Sequence, residues 1–148
     1  MIYMEGKSMK DWNDYFMDIA LQVATKSKDP STQVGAVIVT EDNEPVSFGY
    51  NGMVRKMDEK QVTWERPDKY YIVIHAEMNA VLFARRDLAN CKMYVTHHPC
   101  ENCLKHVLQS GIKEIYYRDD SVVERFDEHQ LKAIDRLVQG NKAILRQI

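Results

Sequence analysis

The chain has 148 residues, of which 45% are hydrophobic and 28% charged, and its formal net charge is −2. That length carries one domain with a full core, expected to span 1–148. The near-neutral charge excludes a protein whose main task is to hold long nucleic acid, where phosphate neutralisation dominates affinity. No apolar run reaches the length of a membrane span. The opening MIYMEGKSMKDW is too polar for a signal peptide, so a cytoplasmic setting is expected.

In chain order, Trp12, Tyr15, Phe16, Ile19, Ala20 and Val23 recur at helical spacing and predict an amphipathic helix over 9–27. Ser8, with Asp11 three residues later, is its expected cap. Pro30 and its small polar neighbours mark a loop over 27–33. VGAVIVT at 34–40 is β-branched throughout and predicts a strand covered on both faces. A turn over 41–45 and a second strand at 46–50 complete a hairpin. Gly49 and Gly52 then allow a bend or a close approach. Residues 53–71 show no clean period and predict a long loop of functional character, with its cations solvated.

A buried helix is predicted over 76–86, with Arg85 and Arg86 at its C-terminal end. A strand at 92–96 follows. Pro99 then opens a helix over 100–110, which Gly111 stops. A strand at 112–117, a helix at 127–139 ended by Gly140, and a last strand in KAILRQI complete the pattern. Strand, helix, strand in so short a span is a parallel crossover. The sum is an α/β fold with a five-stranded mixed sheet sandwiched by helices.

The three cysteines, Cys91, Cys100 and Cys103, read as thiols and not as a disulfide framework. His75, Cys100 and Cys103 make three good zinc ligands, with a fourth position open for water, as catalytic zinc sites have. Cys100 and Cys103 share one face of a helix start, where the dipole favours thiolate. His75 and Glu77, two apart, can share a site only at a helix start. Two thiolates neutralise the charge of Zn²⁺, which then acidifies its water less, so a general base is wanted, and Glu77 is the natural one. The alternative is a closed structural knot with Cys91, His97 or His98 as fourth ligand.

His75-Ala76-Glu77 followed by Pro99-Cys100-Glu101-Asn102-Cys103 is the H-x-E and P-C-x-x-C signature of zinc nucleobase deaminases. With SKDPSTQVGAVIV, GYNG at 49–52, HAEMNA at 75–80 and SGIKEIYY at 110–117, the chain resembles the cytidine deaminase-like fold and, within it, the deoxycytidylate deaminases. The resemblance implies a three-layer α/β/α sandwich. It also implies hydrolysis of dCMP to dUMP and ammonia, feeding thymidylate synthesis. His75, Cys100 and Cys103 would hold zinc, with Glu77 as proton shuttle. Asn51 would contact the sugar and the Ala76 backbone the base, while Gly49, Tyr50, Asn51 and Gly52 would contact an allosteric nucleotide. Members are typically homohexamers, activated by dCTP and inhibited by dTTP, with Mg²⁺ accompanying the triphosphate.

Ligands of open sheets sit beyond the carboxyl ends of strands, which adds Tyr117 and Arg118 as substrate contacts, Arg118 for the 5′-phosphate. Cys91 is the only spare thiol, too few for the second zinc that some relatives carry. A deaminase of another substrate, such as tRNA adenosine or free cytosine, and a non-catalytic zinc module are the competing readings.

Overall fold

The computed structural model describes residues 8–148; the first seven positions of the expected 1–148 domain and of the polar N-terminus lie outside the described residues. Helix α1 is Trp12–Ala24, and its cap differs from expectation. Asp11 itself is the N-cap, its carboxylate accepting the Asn13 N–H at 3.0 Å. An aspartate does this as well as a serine, which leaves Ser8 outside the helix.

Strand β1, Gly35–Val39, is buried along its whole length. Strand β2, Pro45–Tyr50, pairs with it antiparallel as the expected hairpin. Strands β5 (Lys92–His97), β6 (Glu114–Asp119) and β7 (Ile144–Gln147) run parallel to one another, and β5 pairs antiparallel with β1. The order β2-β1-β5-β6-β7 is the expected five-stranded mixed sheet.

Alternation along each strand divides the core into two layers. Val37, Val39, Tyr94 and Tyr116 face α1 through Phe16, Met17 and Ala20. Ala36, Ile38, Met93, Val95 and Ile115 face helices α3 (Ala76–Ala84), α4 (Glu101–Gln109) and α5 (Glu128–Asn141). Helices thus cover both faces, as a three-layer sandwich requires.

Several local features correct the sequence reading. The 53–71 stretch is not a plain loop. Gly52–Met53 (β3) and Val73–Ile74 (β4) pair with each other, and between them lie a 3₁₀ turn at Glu59–Gln61 and helix α2, Lys69–Ile72. Elements of two to four residues are too short to show a period. Helix α3 is not buried all round: Leu82 is 57% exposed, and the buried face carries Ala76, Glu77, Asn79 and Ala80. Its small residues meet the sheet and its large ones face outward. Cys100, not Pro99, caps α4. Gly140 lies inside α5, which ends at Lys142 in the left-handed region, its N–H bonded to the Gln139 and Val138 carbonyls. No helix among the described residues is long and apolar enough to cross a membrane.

Gly49 sets the distance between β2 and α3. A Cβ built there would lie 2.3 Å from the Ala80 nitrogen and 2.4 Å from the Ala76 carbonyl oxygen. Both contacts are helix backbone and cannot rotate away. At Gly52 the nearest atom would be 3.8 Å off, on the Tyr50 ring. Gly49→Ala is therefore expected to cost about 2–3 kcal/mol as an overpacked core does. Gly52→Ala is expected to stay within about 0.5 kcal/mol of wild type, as a surface change does. Urea unfolding of the two variants checks this; equal effects would show that β2 and α3 have slack between them.

Candidate metal centre and active site

Because β1 is antiparallel to β5, the start of β1, the end of β2 and the ends of β5 and β6 lie at one edge of the sheet. The loop before β1, Asn51 after β2, His98 to Cys100 after β5 and the 120–126 turn after β6 therefore gather there. They surround a cavity of about 500 Å³, within the range of small-molecule sites.

Two helices begin at this cavity. His75 is the N-cap of α3 with extended backbone, φ −68° and ψ 155°. Its side chain is thus not bound by helical spacing, and it shares the cavity wall with Glu77. Cys100 is the N-cap of α4, its sulfur accepting the Cys103 N–H at 3.5 Å. His75 Nδ1 lies 3.7 Å from Cys100 Sγ and 3.2 Å from Cys103 Sγ.

All three ligand atoms fall within 4.8 Å of one another. Zn–N near 2.05 Å and Zn–S near 2.3 Å at tetrahedral angles put ligand atoms about 3.5 Å apart across N and S. The observed separations bracket that value, so the donor set fits zinc in both chemistry and size. This is the only such group among the described residues. Cys91 packs in the core beside Leu88 and Met93, and neither His97 nor His98 joins the group. Three ligands would leave a fourth tetrahedral position open, as catalytic zinc sites do.

The four groups lie close enough to shift one another's proton affinity. Hydrogen bonding to Cys103, and secondarily the His75 ring, holds the Cys100 thiol down to about 4 against its burial. Bonding to that sulfur raises His75 to about 9. Cys103 is pushed up by its bond to Cys100 and by burial. Burial pushes the Glu77 carboxyl up, and the neighbouring His75 opposes it. A divalent ion would displace the remaining ligand protons.

The other expected site residues separate. Asn51 and Ala76 line the cavity. The Asn51 amide accepts from the Val34 N–H at 2.8 Å and donates to the Thr32 carbonyl at 2.9 Å, leaving one donor hydrogen and one lone pair for a ligand. Tyr117 stands beneath the wall, its ring centroid 4.6 Å from that of His98. Arg118 does not reach the cavity. Consecutive strand residues point to opposite faces, so Arg118 lies on the α1 side. There its Nε donates to the Ile148 carbonyl at 2.8 Å and its guanidinium faces Asp14 at 4.0 Å. The cations on the cavity wall are instead Arg66, Lys69 and Arg125.

Gly49 is sealed against α3 and presents no surface to a nucleotide. Tyr50 and Gly52 line a second cavity, of about 980 Å³, with Arg55, Lys56 and Arg85. There the Arg55 guanidinium lies 5.2 Å from the Phe83 ring centroid. His97 and His98 also line the first cavity, both held below the usual histidine range by burial. Sequence reasoning offered both histidines only as fourth ligands of a closed knot and left Lys69 solvated. Only the histidines carried a signal, standing directly before PCENC.

One zinc per chain is expected by elemental analysis of the purified protein. His75→Ala, Cys100→Ser and Cys103→Ser should each lose it, while Cys91→Ser should keep it. Loss of zinc in the Cys91 variant would restore the closed knot.

The model of the cytidine and deoxycytidylate deaminase zinc-binding region matches residues 10–119. An uncharacterized deaminase of Aliivibrio fischeri is 49% identical over 105 residues, 71% of each chain. Human deoxycytidylate deaminase is 41% identical over 117 residues, covering 74% of this chain and 66% of that enzyme. The structure of dCMP deaminase from the cyanophage S-TIM5 superposes with a TM-score of 0.73 at 25% identity, over 95% of this chain and all of that one. That phage enzyme has also been solved in complex with dCMP and dUMP. Three converging candidate ligands, a buried carboxylate beside them and a family match that spans all four lead to one conclusion: this chain belongs to the cytidine and deoxycytidylate deaminase zinc-binding family.

Proposed function

We propose that the protein is a zinc-dependent hydrolase that converts dCMP to dUMP and ammonia. The observation that carries this is the placement of Glu77, 4% exposed, on the same cavity wall as His75 and Cys100. The identity to deoxycytidylate deaminases, human among them, favours dCMP within the family.

His75 through Nδ1, Cys100 and Cys103 would hold the zinc, which when bound supplies a water nucleophile at neutral pH. Glu77 does the proton work. Burial raises its proton affinity toward the working pH, where a general acid–base group is most effective. It accepts the proton of the attacking water and passes it to the ring nitrogen next to the amino-bearing carbon; it then takes the proton of the hydroxyl newly added at that carbon and delivers it to the departing amine, leaving the carbonyl of the product. Asn51 offers its remaining N–H and lone pair to the sugar. The Ala76 backbone borders the base, and Tyr117 supports the wall through His98. Arg66 and Arg125 stand where a 5′-phosphate needs cations.

Regulation belongs to the same reading. Tyr50 and Gly52 open on the second cavity, whose three cations and stacked Phe83 suit a base and an Mg²⁺-chelated triphosphate, dCTP as activator or dTTP as inhibitor. Tyr50 also touches the α3 start, its carbonyl accepting from Asn79 Nδ2 at 2.8 Å. A homohexamer, a cytoplasmic location and a supply role for thymidylate synthesis complete the proposal.

Loss of the amino group is followed spectroscopically on dCMP, deoxycytidine, cytosine and an adenosine-containing tRNA loop, with and without dCTP. Turnover of dCMP far above the others is expected, with deoxycytidine a weak but measurable substrate. Turnover of the RNA and not of dCMP would refute the substrate. Glu77→Gln should keep its zinc and lose kcat by about a hundred- to ten-thousand-fold, the usual share of a general acid–base group. Arg85→Ala should leave basal turnover intact and weaken the response to dCTP; an unchanged response would place the effector elsewhere.

A further inference from the structure

Lys69 is the only buried lysine or arginine among the described residues, at 4% exposure. Its ammonium lies 3.1 and 3.2 Å from the two carboxylate oxygens of Asp29, which is itself buried. Asp29 Oδ1 also accepts the Ser31 N–H at 2.8 Å and the Thr32 N–H at 3.3 Å. Burial alone would raise this carboxyl, but these donors and the ammonium hold it below the usual carboxylate range.

Such a buried pair adds little net stability compared with apolar side chains of the same size. What it does fix is position. The 54–72 excursion is closed at its base by the β3–β4 pair, and Lys69 ties its last turn to the loop before β1. That loop is held from its other side by the Asn51 amide, at Val34 and Thr32. Asp29, Thr32, Arg66 and Lys69 all line the first cavity. Arg66 stands three residues before Lys69, exposed at the rim.

We propose that Lys69 is a positioning residue for substrate. Seated on Asp29, it holds α2 and the Arg66 guanidinium against the 29–34 loop, and the wall so formed receives an anionic 5′ group. The proposal rests on the nucleotide-deaminase reading above and adds the device that selects the phosphorylated substrate over the nucleoside. Arg66 is the group that meets the anion, and Lys69 acts through it.

The test uses the full zinc-loaded chain. Lys69→Arg keeps the charge, and the double variant Lys69→Met/Asp29→Asn removes both charges, so that neither is left buried alone. KM and kcat are measured on dCMP and on deoxycytidine, with zinc content and melting temperature alongside. In the double variant KM for dCMP should rise about tenfold or more with kcat within about threefold, the pattern of lost uniform binding. Deoxycytidine turnover should change by less than about threefold. Lys69→Arg should return KM for dCMP to near wild type. Equal losses on nucleotide and nucleoside, or a fall in kcat with KM unchanged, would overturn the proposal.

If the wild type turns over neither substrate, the deaminase reading fails and the latch is judged by hydrogen exchange. Faster exchange of the 29–34 and 69–72 amides in the double variant, with the sheet unchanged, supports it. Unchanged exchange in those segments refutes it.

Discussion

Two helix starts meet at one edge of the sheet, and the chemistry of the site follows from that meeting. A helix N-terminus carries unpaired N–H groups and a partial positive charge. Two of them aimed at one point repel a cation. The residues at those ends reverse the sign. Cys100 caps α4 and takes the Cys103 N–H on its sulfur, and Cys103 stands one turn further in. Glu77 lies in the first turn of α3. The dipoles that would expel a bare metal ion favour the thiolate form of cysteines placed at those ends, the form that would hold one. A site built here from neutral ligands alone would lack that compensation.

The helices can meet only because the residues between them and the sheet are small. Gly49, Ala76 and Ala80 let α3 lie on β2 at backbone distance, and the Ser47 hydroxyl donates to the Ala80 carbonyl at 2.7 Å across the same contact. Larger side chains would lift α3 and carry His75 away from the two sulfurs. The spacing of the three candidate ligands is therefore set by the packing beneath them.

The candidate ligand cluster and the sheet were legible in the sequence because each rests on local pattern. H-x-E and P-C-x-x-C sit at helix starts, and β-branched runs mark the strands. What stayed hidden depends on pairs far apart in the chain. Lys69 and Asp29 are forty residues apart, and nothing near either position distinguishes a buried cation from a solvated one. Arg118 was misplaced for a different reason, one the sequence did contain. With Ile115 on the α3 face, period two sends Tyr117 to that face and Arg118 to the other. Reasoning from the strand's end alone ignored which face the end presents. The 53–71 excursion escaped because its two-residue strands pair only with each other.

The charge of the whole chain, −2, says little about what its cavity binds. Interactions between exposed charges fade over about 8–10 Å at physiological salt, so a monophosphate responds to the few groups within that reach. At this site the cations are not equivalent. Lys69 is neutralised by Asp29, and its work is positional, whereas Arg66 and Arg125 stand exposed with their charge available. The acidic groups nearby, Glu77 and Asp29, are both buried, Asp29 paired with Lys69 and Glu77 beside the candidate metal ligands. The cavity therefore presents an anionic ligand with a positive rim over a floor whose negative charges are already in use. A site of that construction favours a single phosphate on a small molecule over a polyanion, whose binding draws on many phosphate contacts at once.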